Sequence, residues 1–237
     1  MLLLRSLLFN LLMLLSVLVY APLALLTIPF PHQHRYRFIG GWERLQVWSA
    51  RWLCGIRYRV EGREHLPTGP SIILSKHQSA WETMAFQAIF PIQTWVLKRE
   101  LLWIPFFGWG LALMKPIAID RGAGRKAIMR VIKQGKQRLD EGIWIVVFPE
   151  GTRVAPGQRR CYGIGGAALA AATGYPVVPV AHNAGSFWPK RGFLKRPGTI
   201  RVVIGPTIHT NDMTAEEIIQ RTEEWIENKM IELEKSV

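Results

Sequence analysis

Residues 2–30 are almost all apolar, and this stretch restricts the possible folds of the chain more than any other feature. Arg5, Asn10 and Pro22 interrupt it. A helix of about 20 apolar residues is long enough to cross a bilayer. A cleaved signal peptide is the alternative, with Arg5 in its charged start and residues 21–24 as its cleavage site. Because the apolar run continues past that point, we predict a retained membrane anchor.

The charges on either side of this stretch predict its orientation. Only Arg5 lies near its start, whereas several arginines follow it: Arg35, Arg37, Arg44, Arg51, Arg57 and Arg59. The side of an anchor that carries the excess of Lys and Arg is normally the cytoplasmic side. We therefore expect a protein of the inner (cytoplasmic) membrane whose C-terminal domain faces the cytoplasm.

Residues 36–55 predict an amphipathic helix, because large apolar residues recur at steps of three or four: Phe38, Trp42, Leu45, Trp48 and Trp52. Such a helix lies in the plane of the lipid headgroups or packs on the domain core, and the sequence leaves both open.

Residues 101–114 form a second apolar run, too short to span a bilayer. It predicts a core helix or a surface that meets lipid tails. We assign residues 1–55 to a membrane-associated part and residues 56–237 to a globular domain.

The globular part alternates short strands and helices. Short runs rich in β-branched, aromatic or other apolar residues, some of them interrupted by charges, predict strands at residues 57–61, 71–74, 94–97, 116–119, 143–148, 177–181 and 199–204. Helical patterns follow at residues 83–90, 124–139, 164–173 and 214–234, the last with Thr214 and Glu217 in capping-box spacing. This alternation predicts an α/β fold with a mixed, largely parallel sheet flanked by helices.

The composition narrows the choice of partner. A net charge of +13 indicates an anionic one, such as nucleic acid, anionic lipid or a phosphorylated substrate. Ten Trp favour a membrane interface, and no zinc-finger spacing or aromatic RNA-binding motif occurs, so nucleic acid is not expected. Cys54 and Cys161 form no disulfide framework. His32 and His34 lack a third ligand in sequence, so we expect no metal.

His77 lies between an apolar strand and a helix, in the kind of loop where α/β folds place their chemistry. Glu82 follows five residues later. On one continuous helix this spacing would set the two side chains about 140° apart. They converge only if His77 precedes the helix and Glu82 lies in its first turn, where Glu82 holds one ring nitrogen and leaves the other as a base. A surface His beside a capping Glu is the alternative.

A second motif, Phe-Pro-Glu-Gly-Thr-Arg at residues 148–153, directly follows another predicted strand. Together with the His-x-x-x-x-acid motif it resembles the glycerolipid acyltransferases, most closely the lysophosphatidate (1-acylglycerol-3-phosphate) acyltransferases. Two further blocks agree, one formed by residues 98–108 and 119–121 and the other by Val-Val-Pro-Val at residues 177–180. The acidic residue of the first block is usually Asp in this family, so Glu82 is a departure.

This resemblance implies that an acyl group moves from acyl-CoA or acyl carrier protein to the free hydroxyl of 1-acylglycerol-3-phosphate, which gives phosphatidate in phospholipid biosynthesis. It implies no cofactor. His77 would be the base and Glu82 would orient it. The implied acceptor site consists of Arg121, Glu150, Gly151, Thr152 and Arg153. Because the chain has no Gly-x-Ser-x-Gly elbow, we expect direct attack by the acceptor rather than an acyl-enzyme.

Four alternatives remain at this point. The acceptor could be another lysolipid, such as a lyso-ornithine lipid or a lysophospholipid. The chain could be a lipid-binding protein without turnover, or an ester hydrolase that uses His77 with water. Finally, Glu150 and Arg153 could form a local ion pair that closes a turn, without any part in a site.

Overall fold

The computed structural model describes residues 1–235, and a seven-stranded sheet forms the centre of that part of the chain. The strands are β1 (Ile56–Glu61), β2 (Ile72–Ser75), β3 (Gln93–Lys98), β4 (Ile117–Ile119), β5 (Trp144–Val147), β6 (Val177–His182) and β7 (Gly198–Ile204). Their order is β1-β7-β6-β2-β5-β3-β4, and only the pair β6–β7 is antiparallel. The predicted mixed, largely parallel sheet is confirmed.

Helices cover both faces of the sheet. They are α1 (Leu2–Leu25), α2 (His32–Cys54), α3 (Trp81–Ile89), α4 (Phe107–Leu113), α5 (Arg125–Asp140), α6 (Gly165–Thr173), α7 (Ala184–Phe187) and α8 (Ala215–Lys235). The alternating side chains of β2 illustrate the two layers. Ile73 points into a core shared with α2 and α3. Ile72 and Leu74 point into the other core, where residues of α5, α6 and α8 pack.

Helix α8 begins where the capping-box spacing predicts. The hydroxyl of Thr214 accepts a hydrogen bond from the backbone N–H of Glu217 at 3.2 Å. In return, the Glu217 carboxylate accepts one from the backbone N–H of Thr214 at 2.7 Å. These two bonds satisfy N–H groups that the start of a helix otherwise leaves unpaired.

Helix α1 is long and apolar enough to cross a membrane, and most of it is not covered by the rest of the protein. One narrow side, with Ser6, Phe9 and Ala24, is buried. The other sides expose a series of leucines: Leu3, Leu4, Leu7, Leu8, Leu11, Leu14, Leu15 and Leu18. So large an exposed apolar surface is unfavourable in water. The helix therefore indicates that the protein associates with membranes.

Helix α2 packs on the domain core, which is one of the two arrangements that the sequence left open, and only part of its predicted apolar stripe takes part in this contact. Its buried residues include Tyr36, Ile39, Val47, Ala50 and Cys54. The predicted apolar stripe is partly on the outside, where Trp48 and Trp52 are 59% and 65% exposed. Small residues such as Ala50 allow close packing on the sheet side, which leaves the bulky aromatic rings to the outer surface.

Part of residues 101–114 packs on the core, as one of the two alternatives predicted, and part is exposed. Leu111 and Met114 pack against the core. Trp103 and Trp109 are 67% and 40% exposed, and contact of this surface with lipid tails stays a prediction.

The parallel strands bring the predicted motifs together. Because β2, β3, β4, β5 and β6 run in one direction, their carboxyl ends meet at one edge of the sheet, where α/β folds form their sites. His77 follows β2, the Phe-Pro-Glu-Gly-Thr-Arg motif follows β5, and Arg121 follows β4. The sheet topology thus gathers side chains from distant parts of the chain.

Candidate active site

The spacing of His77 and Glu82 works as predicted. Strand β2 ends at Ser75 and helix α3 begins at Trp81, so His77 lies in the loop and Glu82 in the first turn of the helix. Nδ1 of His77 and Oε1 of Glu82 are 2.8 Å apart. An ionised carboxylate can only accept, so Nδ1 carries the proton and Nε2 holds a free lone pair. Nε2 is thus the basic nitrogen.

Glu82 also organises the backbone of the loop. Its Oε1 accepts hydrogen bonds from the N–H groups of Gln78 at 2.9 Å and Ser79 at 2.8 Å. Burial alone would raise the pKa of this fully buried carboxyl, but the hydrogen bonds from the His77 ring and the N–H of Ser79 bring it below the ordinary value. Glu82 is therefore ionised at neutral pH.

His182, at the end of β6, is a second histidine of the site that the sequence analysis missed. It is fully buried, and its Nε2 lies 3.9 Å from Oε1 of Glu82. Its Nδ1 accepts from the N–H of Ala184 at 3.3 Å, so Nε2 carries the proton and donates to the carbonyl of Lys76 at 2.9 Å. Burial lowers the pKa of His182 and keeps the ring neutral. Through the bond to Lys76, His182 stabilises the loop behind Glu82.

The backbone and ring of His77 are held on further sides. Its N–H donates to Oε2 of Glu150 at 2.8 Å, and its carbonyl accepts from the N–H of Val154 at 2.7 Å. The imidazole stacks on the ring of Phe148, with centroids 4.0 Å apart and an angle of 14° between the planes. The loop after β5 thus fixes the histidine of the loop after β2.

Glu150 lies behind this loop. Its buried carboxylate is 2.8 Å from Nζ of Lys76, and that ammonium is also 2.9 Å from Oε1 of Glu227 on α8. Burial would lower the pKa of Lys76, but the two carboxylates together raise it, so the ammonium stays charged. The alternative in which Glu150 pairs with Arg153 is wrong, because Lys76 takes the carboxylate.

Gly151 and Thr152 shape the loop. Gly151 adopts φ +68°, in the left-handed region that suits glycine, within a turn closed by its N–H and the carbonyl of Phe148. The hydroxyl of Thr152 accepts from Nζ of Lys190 at 3.1 Å, and Lys190 also donates to the carbonyl of Arg153. The contacts of Glu150, Gly151 and Thr152 are with the protein itself, and their predicted contact with substrate stays a prediction.

A cavity of about 530 Å³ opens beside His77. Most of its wall is apolar and comes from α1, α2, α3, β3 and α4; examples are Met13, Val17, Ile39, Met84, Leu97 and Leu111. The wall includes three cations: Lys98, Arg121 and Arg153. Glu43 also lines it, and burial raises the pKa of its carboxyl well above the ordinary value, which favours the neutral form.

The structure thus brings three predicted site residues, His77, Arg121 and Arg153, to one cavity. Lys98 is an addition. Lys98 lies in one of the four motif blocks, and its place at the end of β3 is the signal that indicates a part in the site.

The sequence model of the Acyltransferase family matches residues 57–183, which is more than half of the chain and includes every loop described above. The chain belongs to the acyltransferase family. The four motif blocks that suggested this resemblance all lie within the matched residues. Helices α1, α2 and α8 of this acyltransferase lie outside them.

Individual relatives agree with the family match. The 1-acyl-sn-glycerol-3-phosphate acyltransferase of Pseudomonas aeruginosa is 47% identical over 234 residues, which are 97% of this chain and 91% of that protein. The 1-acyl-sn-glycerol-3-phosphate acyltransferase alpha of Mus musculus is 31% identical over 180 residues, 74% of this chain and 63% of that protein. The crystal structure of the 1-acyl-sn-glycerophosphate (LPA) acyltransferase PlsC from Thermotoga maritima has a TM-score of 0.80 at 22% identity and covers 98% of this chain and 95% of that one. This structural likeness shows the shared fold.

Proposed function

We propose that the protein transfers a fatty acyl group from acyl-CoA or acyl carrier protein to the free hydroxyl of 1-acylglycerol-3-phosphate, and so forms phosphatidate for phospholipid synthesis. One observation carries the proposal: a single cavity is lined by a carboxylate-bound histidine, by three cations and by an apolar wall. The names of the relatives at 47% and 31% identity support the choice of acceptor.

The proposed reaction begins with the free lone pair of His77 Nε2. This nitrogen takes the proton of the acceptor hydroxyl while the hydroxyl oxygen attacks the thioester carbonyl, so a C–O bond forms. The ionised Glu82 stabilises the imidazolium that results. When the tetrahedral intermediate collapses, the C–S bond breaks and the imidazolium returns its proton to the leaving thiolate. The proposed reaction needs no metal or cofactor besides the two substrates.

The cations explain why the acceptor would carry a phosphate. Arg153 and Arg121 present planar guanidinium groups that match phosphate oxygens in a bidentate manner. Lys98 adds a point charge, although its ammonium already lies 3.1 Å from a carboxylate oxygen of Glu100. All four side chains line one cavity, so a phosphate held by these groups would share that cavity with His77.

The apolar wall suits the hydrocarbon chains of the substrates. Each buried methylene contributes roughly 0.8 kcal/mol of transfer free energy. A neutral Glu43 avoids the large cost of an ionised carboxylate beside hydrocarbon.

A lysolipid panel tests the acceptor. Purified protein is given a labelled acyl donor together with lysophosphatidate, a lyso-ornithine lipid or a lysophospholipid, and the products are separated by mass. We expect labelled phosphatidate as the main product. A preference for an acceptor without a terminal phosphate would contradict the assignment. Free fatty acid alone would indicate a hydrolase, and binding without any product would indicate a lipid-binding protein.

Arg153→Ala is expected to weaken the reaction with lysophosphatidate. A charge-assisted hydrogen bond is worth roughly 1.5–3 kcal/mol, so we expect the acceptor KM to rise, or kcat/KM to fall, on the order of tenfold to a hundredfold. Arg153→Lys should recover only part, because Lys lacks the planar fork. Arg221→Ala, at an exposed site on α8, is the control and should leave the kinetics unchanged. Unchanged acceptor kinetics in a folded Arg153→Ala protein would remove Arg153 from the site.

We further propose that α1 anchors the protein in the inner membrane with the active site facing the cytoplasm, because arginines are concentrated after the anchor. The full-length protein should stay with membranes through a high-salt wash. A variant without residues 1–30 should be soluble or extracted by salt. Recovery of the full-length protein in the soluble fraction at low salt would contradict this proposal.

A further inference from the structure

Helix α8 lies outside the matched family region, yet it reaches the active-site loops. Three acidic residues, Glu223, Glu227 and Glu234, follow one another at steps of four and seven residues along it. At about 3.6 residues per turn, this spacing places them on one face of the helix. In the structure, that face turns toward the loops that carry His77 and Arg153.

Glu227 makes the central contacts of this face. Its Oε1 is 2.9 Å from Nζ of Lys76 and accepts a hydrogen bond from the hydroxyl of Tyr162 at 2.8 Å. Its Oε2 is 3.6 Å from Nε of Arg159. Lys76 is 1% exposed and Glu227 is 9% exposed, so water screens their interaction only weakly. The contact is therefore a buried ion pair between residues that are 151 positions apart in the sequence.

Lys76 connects Glu227 to His77 through Glu150. Residues 76 and 77 are neighbours in the chain, and the ammonium of Lys76 also binds Oε1 of Glu150 at 2.8 Å. The other oxygen of Glu150 accepts the hydrogen bond from the backbone N–H of His77. The chain of contacts from α8 thus runs through Glu227, Lys76 and Glu150 to the peptide group of the proposed base.

Glu234 adds a second contact on the other side of His77. Its Oε1 accepts a hydrogen bond from the N–H of Gly157 at 2.8 Å, which lies in the loop that follows Arg153. The same oxygen is 3.5 Å from Nε2 of the side-chain amide of Gln78. Helix α8 therefore binds both residues that flank His77 as well as the loop that packs over it.

We propose that α8 is a positioning element of the active site, in which Glu227 fixes His77 through Lys76 and Glu150, while Glu234 holds the neighbouring loop. This inference rests on the proposed acyl transfer. Neither carboxylate lines the cavity, so both act through other residues and touch no substrate. Because a displacement of about 1 Å at a reacting group can cost a hundredfold in rate, loss of the contacts made by Glu227 or Glu234 should lower kcat.

The test compares Glu227→Gln with Glu232→Gln. Gln keeps the size of the side chain at 227 but removes the charge that binds Lys76. Glu232 pairs with Lys229 at a largely exposed position on the same helix, so its variant is the matched control. For Glu227→Gln we expect kcat to fall on the order of tenfold to a hundredfold while the acceptor KM changes less than about twofold, since positioning of the base affects the chemical step. Glu232→Gln should match the wild type.

Tyr162→Phe is a milder second variant. It removes one hydrogen bond to Glu227 and leaves the ion pair intact, so it should fold and lose only a few-fold in kcat. Glu227→Asp should recover part of the activity of Glu227→Gln because it restores the charge. A lower melting temperature with unchanged kcat for Glu227→Gln and Tyr162→Phe would overturn the inference and leave α8 a structural role alone. If the wild type itself forms no phosphatidate, the proposed function fails instead.

Discussion

His77→Ala is expected to abolish turnover while it leaves folding and donor binding nearly intact. The variant removes the nitrogen that takes the proton of the acceptor hydroxyl. Among residues 1–235, no other histidine lines the cavity, and Glu43 is the one carboxyl in its wall, with a pKa that burial raises. General-base catalysis typically contributes 10²–10⁴-fold, and more when no other group can take the proton. The measurement is kcat together with a thermal melt, since the ring also stacks on Phe148.

His209→Ala is the control for this experiment, because His209 is exposed and lies far along the chain from the site. It should retain wild-type kcat. If a folded His77→Ala protein keeps more than about a tenth of wild-type kcat, its loss lies well below the general-base range, and the proposed mechanism is wrong.

Glu82 variants are expected to have the second largest effect, and they separate charge from position. Glu82→Gln keeps an oxygen that can accept from the N–H groups of Gln78 and Ser79, but the neutral amide cannot stabilise the imidazolium. We expect a loss of kcat of about 10²-fold or more, by comparison with about 10⁴ for the corresponding change in a Ser-His-Asp triad. The melting temperature should fall little.

Glu82→Ala should lower both kcat and stability. It leaves two buried N–H groups without an acceptor, each of which costs about 1–3 kcal/mol. Its kcat should stay above that of His77→Ala, because an unoriented His77 can still act as a base part of the time. Glu82→Asp restores the usual residue of the family but shortens the arm, so we expect activity between that of the wild type and Glu82→Ala. Wild-type kcat in Glu82→Gln would exclude a catalytic role for the charge.

The alternation of strands and helices was enough to predict most of the fold. Each predicted strand occurs within a residue or two of its predicted position. The central strands β2, β5 and β6 are apolar runs that are buried along their whole length, as expected of parallel strands covered on both faces. The face of α2 could not be predicted. Both of its faces carry apolar residues, and only the packing partner decides that Ala50 and Cys54 turn inward while Trp48 and Trp52 stay outside.

The site was predictable where its parts are close in sequence. His77 and Glu82 are five residues apart, so helix geometry alone limits how they can meet. The departure from the usual Asp is also explained locally, since the longer Glu82 reaches both the imidazole and two N–H groups of the loop.

The supporting contacts depend on tertiary packing and could not be predicted. Glu227 lies 151 residues from Lys76, and His182 lies 106 residues from the carbonyl that it binds. Nothing in the local sequence of either residue indicates its partner. Glu150 is the instructive case, because its motif suggested a substrate contact and the structure places its carboxylate against Lys76 and the backbone of His77.

The most direct test of the account follows the thiol product, the protein mass and the lipid product in one experiment. Purified protein is mixed with a labelled thioester donor, first alone and then with lysophosphatidate. The account predicts an unchanged protein mass and no release of thiol before the acceptor is added, and afterwards equal amounts of thiol and labelled phosphatidate. An acylated protein, or thiol released with free fatty acid in the absence of lysophosphatidate, would contradict direct transfer by His77.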